Sequence, residues 1–225
     1  MKYELNHIYN EDCLPAMKEF PDKFFELAIV DPPYGIGSSD YKRGGTHYGK
    51  SVADCKIYLK KKWDMQIPND KYFIELMRVS KNQIIWGGNY FGDYLGATSC
   101  WVVWDKDNGT NEYADCELAW TNFQTAVRKV MWRWHGMLQQ DMKHKEERIH
   151  PTQKPVALYK WLLHNYAKKD DKILDTHTGS ASSIIACEWM GFEYVGFEID
   201  KEYYEASLKR LEKEREKMKQ IRLDF

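Results

Sequence analysis

FELAIVDPPY, residues 25–34, is a largely apolar run, Phe25 to Val30, that stops abruptly at Asp31-Pro32-Pro33-Tyr34. A run of this kind is what a strand covered on both faces looks like. Two prolines cannot continue a central strand, because they have no N–H to give to its ladder. Asp31 is therefore expected at the carboxyl end of a buried strand, the edge at which open α/β sheets hold their ligands. Pro32 and Pro33 fix φ and hold the Asp31 carboxylate, a proline carbonyl and the Tyr34 ring in one rigid cluster.

Outward from this point, helical and buried-strand patterns alternate. Strands are expected at 5–10, 83–86, 172–174 and 193–197, with an antiparallel pair at 100–104 and 115–121 and a further strand at 127–134. Helices are expected at 14–20, 70–79, 152–166, 182–190 and from Lys201 to about 219, with a polar loop over 139–148. The predicted class is a doubly wound α/β fold, with a mostly parallel seven-stranded sheet and an antiparallel hairpin. The 225 residues suffice for one domain spanning 1–225. Residues 34–69 have no clear period and read as a mobile substrate loop.

Composition narrows the classes. No apolar run approaches the length of a membrane span, and Met1 to Asn6 lacks the apolar stretch of a signal peptide, so a cytoplasmic protein is expected. The five cysteines, Cys13, Cys55, Cys100, Cys116 and Cys187, are scattered and form no CxxC pair, suggesting neither a disulfide framework nor a zinc site. With a net charge of −1, any contact with nucleic acid must come from locally concentrated positive charge.

The tetrapeptide suits an aromatic amine: two acceptors take its N–H groups and Tyr34 offers a stacking face worth about 1–3 kcal/mol. The same acceptors favour a pyramidal nitrogen with a localised lone pair, after which attack on a sulfonium methyl is mainly a matter of positioning. A second constellation is KILDTHTGSA, residues 172–181, a strand followed by a tight turn and a helix start. Gly179 lets the backbone approach a ligand, and Glu198, about twenty residues on, can accept both hydroxyls of a ribose. A third is HPTQKP, residues 150–155, where Thr152 is expected to cap the following helix, Pro155 to lie in its first turn and Lys154 to add positive charge.

Together these segments resemble the DNA amino-methyltransferases. DPPY is similar to their catalytic motif, whose Asp-first form is mostly found in adenine-N6 enzymes. KILDTHTGSA resembles their cofactor motif, departing from it at Thr176, His177 and Ala181, which stand where the usual motif has Pro, Phe and a second Gly. HPTQKP resembles the segment that lies against the methionine moiety of the cofactor, and IYNEDC, residues 8–13, resembles the family's opening. DPPY comes before the cofactor motifs, an order similar to the beta class.

The resemblance implies a Rossmann-like methyltransferase fold and S-adenosylmethionine as cofactor. It implies Asp31, Pro32, Pro33 and Tyr34 as catalytic residues. It places the cofactor against Asp12, Cys13, Asp31, Thr152, Lys154, Asp175, His177, Gly179, Ser180, Glu198 and Ile199. Its partners would be double-stranded DNA and a second copy of the chain, with no membrane, in restriction-modification or epigenetic marking. Residues 127–149 would be a small target-recognition insert. Lys42, Arg43, Lys60, Lys61, Arg128, Arg133 and Lys143 are the candidate DNA contacts, as phosphate-positioning charges. The expected reaction is methylation of N6 of a flipped-out adenine. Cytosine-N4 methylation and a catalytically silent cofactor- or DNA-binding subunit stay open as alternatives.

Overall fold

The computed structural model describes residues 2–37, 66–109, 114–135 and 138–223. The strands of its main sheet are β1 (His7–Tyr9), β2 (Phe25–Val30), β3 (Ser80–Trp86), β4 (Trp101–Asp105), β5 (Cys116–Thr121), β6 (Arg128–Met131), β9 (Lys172–Asp175) and β10 (Glu193–Phe197). A small hairpin, β7 (Trp134–His135) with β8 (Leu138–Gln139), lies apart from it. The helices are α1 (Cys13–Met17), α2 (Asp70–Val79), α3 (Val156–Tyr166), α4 (Ser182–Met190) and α5 (Lys201–Leu223).

The order across the sheet is β1-β10-β9-β2-β3-β5-β4-β6. Pairs from β1 to β3 are parallel, β5 is antiparallel to β3 and to β4, and β6 returns parallel to β4. The expected mostly parallel sheet with an antiparallel hairpin is present, with eight strands among the described residues rather than seven. The expected strand 127–134 is split: β6 ends at Met131, and Trp134 is drawn into the core, its indole N–H donating to the Gln153 carbonyl at 2.8 Å.

Helices cover both faces. Leu27 and Ile29 of β2 pack with α3 and α4, whereas Ala28 and Val30 pack with α1 and α2. Burial on both faces explains why this strand is apolar at successive positions. α2 forms where its spacing predicts: Asn69 caps it by accepting from Tyr72 N–H, and Tyr72, Phe73, Leu76 and Val79 share the buried face.

α3 departs from expectation. It starts at Val156, with Pro155 as its N-cap residue, so Thr152 does not cap it and Pro155 precedes the first turn. The carboxylate that accepts from the first helical N–H, Val156, belongs to Glu146 at 3.0 Å. Glu146 Oε2 in turn accepts from Arg210 of α5. Arg210 also donates to the Ser180 carbonyl at 2.7 Å and to Ser182 Oγ at 2.9 Å. One acid-base pair thus joins the segment before α3, the turn after β9 and α5.

Candidate active site

β2 delivers Asp31 to the carboxyl edge of the sheet, as the prolines require. Tyr34 Oη donates to Asp31 Oδ1 at 2.5 Å, and Lys154 Nζ donates to Asp31 Oδ2 at 2.5 Å and to Tyr34 Oη at 3.2 Å. The Lys154 side chain is only 3% exposed, so its ammonium must be paired within the fold. Its second partner is Glu117 of β5, with Oε2 at 3.0 Å, and Glu117 is also bound to Lys106 at 2.6 Å. Lys154 therefore pairs with these two carboxylates at the edge of the site.

Burial pushes the Asp31 carboxyl above the usual range and Glu117 adds to the rise, while Lys154 opposes it. Burial also opposes ionisation of Glu117, yet Lys154 and Lys106 hold its carboxyl down at about 2. Burial lowers the Lys154 ammonium, but Asp31 and Glu117 outweigh it and leave the ammonium above its ordinary value.

The Tyr34 ring stacks on Tyr90 at 5.0 Å and 14°. Beside it, Gly87 has φ +70°, and a Cβ built there would lie 2.2 Å from Tyr34 Cε1. Gly87→Ala would meet both the left-handed strain and the clash, of order 1–3 kcal/mol together. We expect this variant to fold less stably and to misplace Tyr34, with turnover down at least about tenfold. Unchanged turnover in steady-state kinetics would remove the positioning role assigned to this glycine.

The turn after β9 and the end of β10 meet the same edge. Gly179 N–H donates to Glu198 Oε2 at 2.8 Å, and Asp200 N–H to Glu198 Oε1 at 2.9 Å. Ala181 holds φ +60°, the left-handed conformation that glycine adopts freely, so the turn keeps its shape without the second glycine. Asp175 lies beneath the turn, accepting from His177 N–H and from Ser183, and burial raises its carboxyl to about 7.

A cavity of about 300 Å³ opens between these groups. Of the residues expected at the cofactor, Asp31, Thr152, Lys154, His177, Gly179, Ser180, Glu198 and Ile199 line it. Asp12, Cys13 and Asp175 do not: Asp12 caps α1 by accepting from Leu14 N–H, Cys13 packs in the core, and Asp175 braces the turn from below. His150, Gln153, Tyr159, Thr178, Ser182 and Tyr203 also line the cavity, and no sequence pattern marks them individually as site residues. His150 and Gln153 lie inside HPTQKP, so their placement follows from that segment, and Tyr159 lies one turn into α3.

His177 accounts for a pH effect. Its ring packs edge-on to Tyr72, Nδ1 meets Thr176 Oγ1 at 2.9 Å, and burial lowers its pKa from 6.5 to about 4. The unfolded chain binds a proton at its ordinary pKa and the folded chain resists until about 4. The contribution is thus complete above 6.5 and lost as pH falls toward about 4, up to about 3 kcal/mol. His177→Phe, which keeps a flat ring, should lose less stability than the wild type between neutral and acid pH in urea titrations. Equal losses in the two proteins would refute this.

Residues 105–209 match the model of the DNA methylase family, N6_N4_Mtase. Over these residues the chain is similar to DNA methylases. The match takes in Glu117, HPTQKP, the glycine turn and Glu198. The DNA adenine methyltransferase YhdJ of Escherichia coli (strain K12) is 24% identical, across 93% of this chain and 83% of its own length. The M1.HpyAVI-SAM complex superposes with a TM-score of 0.55 at 18% identity, covering 91% of this chain and 98% of that one. The cytosine-N4-specific PvuII DNA methyltransferase superposes with a TM-score of 0.59 at 14% identity, covering 93% and 89%. At these identities the two structures speak for the fold, which is that of DNA methyltransferases.

The expected DNA contacts are spread unevenly. Lys42, Arg43, Lys60 and Lys61 lie outside the described residues. Arg128 is exposed on β6, the outer strand of the sheet, and Lys143 is exposed after β8. Arg133 is exposed but tied to Asp107, with Nε at 2.8 Å. Arg148 stacks over the Trp134 ring at 4.5 Å, placing both inward. No described helix is long and apolar enough to cross a membrane.

Proposed function

We propose that the chain transfers a methyl group from S-adenosylmethionine to N6 of an adenine turned out of double-stranded DNA. The observation that carries this reading is the single cavity that reaches from Asp31 and Pro33 to Glu198 and the Gly179 turn. Its residues fit the cofactor. Glu198 closes β10 at the position of a ribose acceptor, and Thr178 Oγ1 is buried at the wall with no hydrogen-bond partner. Glu198, Gly179, Ser180, His177 and Ile199 would hold the cofactor, which supplies an electrophilic methyl on a sulfonium.

Asp31 and a carbonyl of Pro32 or Pro33 accept the amine N–H groups, and Tyr34 supports the ring. The amine becomes acidic as its lone pair is taken up, and Asp31, raised by burial, is suited to receive the proton and pass it to solvent. Adenine is favoured by Asp at the head of the tetrapeptide and by the relation to an enzyme named for adenine. The order of DPPY before the cofactor turn supports the beta class. Arg128, Arg133 and Lys143, with residues 34–69 and 127–149, are proposed to position the duplex. Family resemblance extends the reading to a cytoplasmic homodimer, which light scattering would test for assembly.

The test is to incubate the protein with mixed-sequence duplex DNA and S-adenosylmethionine, digest the DNA and identify the methylated nucleoside by mass spectrometry. N6-methyladenine is expected. N4-methylcytosine would overturn the base, and no methylated base would overturn the reaction.

A further inference from the structure

Glu117 has no part in the chemistry just described, yet it stands at the centre of the site's charge. Its Oε2 is shut off from solvent and is ion-paired with the Lys154 ammonium at 3.0 Å, less well aligned than the bonds Lys154 gives to Asp31 and Tyr34. Because Oε2 already lies at hydrogen-bond distance from Nζ, a small turn of the ammonium completes a bond there without moving the backbone.

The acceptor that a base amine needs, Asp31 Oδ2, is already held by an amine of the chain itself. On the methyl-transfer reading, we propose that Lys154 occupies the substrate-amine position between turnovers and that Glu117 is the positioning residue that takes Lys154 when the base amine arrives. Asp31 and Glu117 flank the same ammonium, so rotation about the last lysine bonds moves an N–H from one carboxylate to the other. The Trp86 and Tyr34 rings, with centroids 5.3 Å and 5.7 Å from Nζ, keep the ammonium between them. Lys106 remains on Glu117 at 2.6 Å, so Asp31, Glu117, Lys154 and Lys106 stay balanced in charge throughout.

Without Glu117, a displaced Lys154 has no acceptor to move to, and the amine enters Asp31's reach less often. The test compares wild type, Glu117→Gln and Glu117→Asp. It measures N6-methyladenine formation on mixed-sequence duplex DNA with S-adenosylmethionine, and DNA affinity by fluorescence anisotropy of a labelled duplex without cofactor. In Glu117→Gln, kcat should fall about tenfold or more, the scale of one charge-assisted hydrogen bond, while DNA Kd changes by less than about twofold because phosphate contacts set it. Removing the Glu117 charge also relieves Asp31, so the acid limb of kcat/KM should move to lower pH. Glu117→Asp keeps the charge and shortens the reach, so it should lower kcat with the limb in place.

A loss of activity with an unmoved limb in Glu117→Gln would indicate a merely structural role and overturn the proposal, as would unchanged kcat. If Glu117→Gln fails to fold, Glu117→Asp decides: lower kcat at unchanged Kd supports the proposal and unchanged kcat overturns it. A wild type that methylates no base overturns the methyl-transfer reading and this inference with it. An active wild type with indifferent Glu117 variants overturns this inference alone.

Discussion

Asparagine at position 31 is expected to lower kcat by about 10³-fold, within the range for losing a positioned proton acceptor and one charged hydrogen bond. The side chain keeps its shape and one oxygen. It loses the negative charge that Lys154 meets at 2.5 Å and the oxygen pair that serves Tyr34 and the amine. Lys154 then falls back on Glu117 at 3.0 Å, so the fold should survive better than after removal of a buried charge with no alternative partner. DNA affinity should be little changed, since it rests on phosphate contacts away from the tetrapeptide. Single-turnover assays and anisotropy on the same preparation check this. A kcat within about tenfold of wild type would remove Asp31 from the chemistry.

The largest effect on stability is expected at Glu146. Glu146→Ala leaves the Arg210 guanidinium, whose side chain is 10% exposed, without its carboxylate, and strips the acceptor from the first N–H of α3. Orphaning a buried charge typically costs about 3–5 kcal/mol, with about 1 kcal/mol more for a lost cap. Because Arg210 also holds the Ser180 carbonyl, the turn that lines the cavity should loosen with it. Urea unfolding gives the number directly. Removing both charges, as in Glu146→Gln with Arg210→Met, should cost less than Glu146→Ala, since no unpaired charge then remains. A loss below about 1 kcal/mol for Glu146→Ala would mean that water reaches Arg210.

What could be read from the sequence was local. β2 and its stop at the prolines, α2 with its Asn69 cap, and the turn from β9 to Gly179 follow from patterns a few residues long. The partners of Lys154 could not be read in this way. Asp31, Glu117 and Lys154 are far apart along the chain, and Glu117 occupies an ordinary position in β5, where nothing in the spacing marks a buried ion. The start of α3 is hidden from the sequence for a similar reason. Thr152 looks like a cap, but a carboxylate ten residues before Val156 reaches its N–H first. Trp134 looked like part of an alternating strand, and it is drawn inward by the Gln153 carbonyl.

The pairing that closes the sheet also sets an order of events during synthesis. β1, at residues 7–9, lies against β10 at Val195 to Phe197, and β2 takes its inner neighbour, β9, at Ile173 and Leu174. β1 and this edge of β2 therefore wait for partners that are translated much later. Contacts of such long separation form slowly, because the chain entropy of the loop must be overcome before pairing can reward it. Until β9 arrives, β2 and Asp31 at its end have an open edge, and that edge is the part of the nascent chain most in need of shielding.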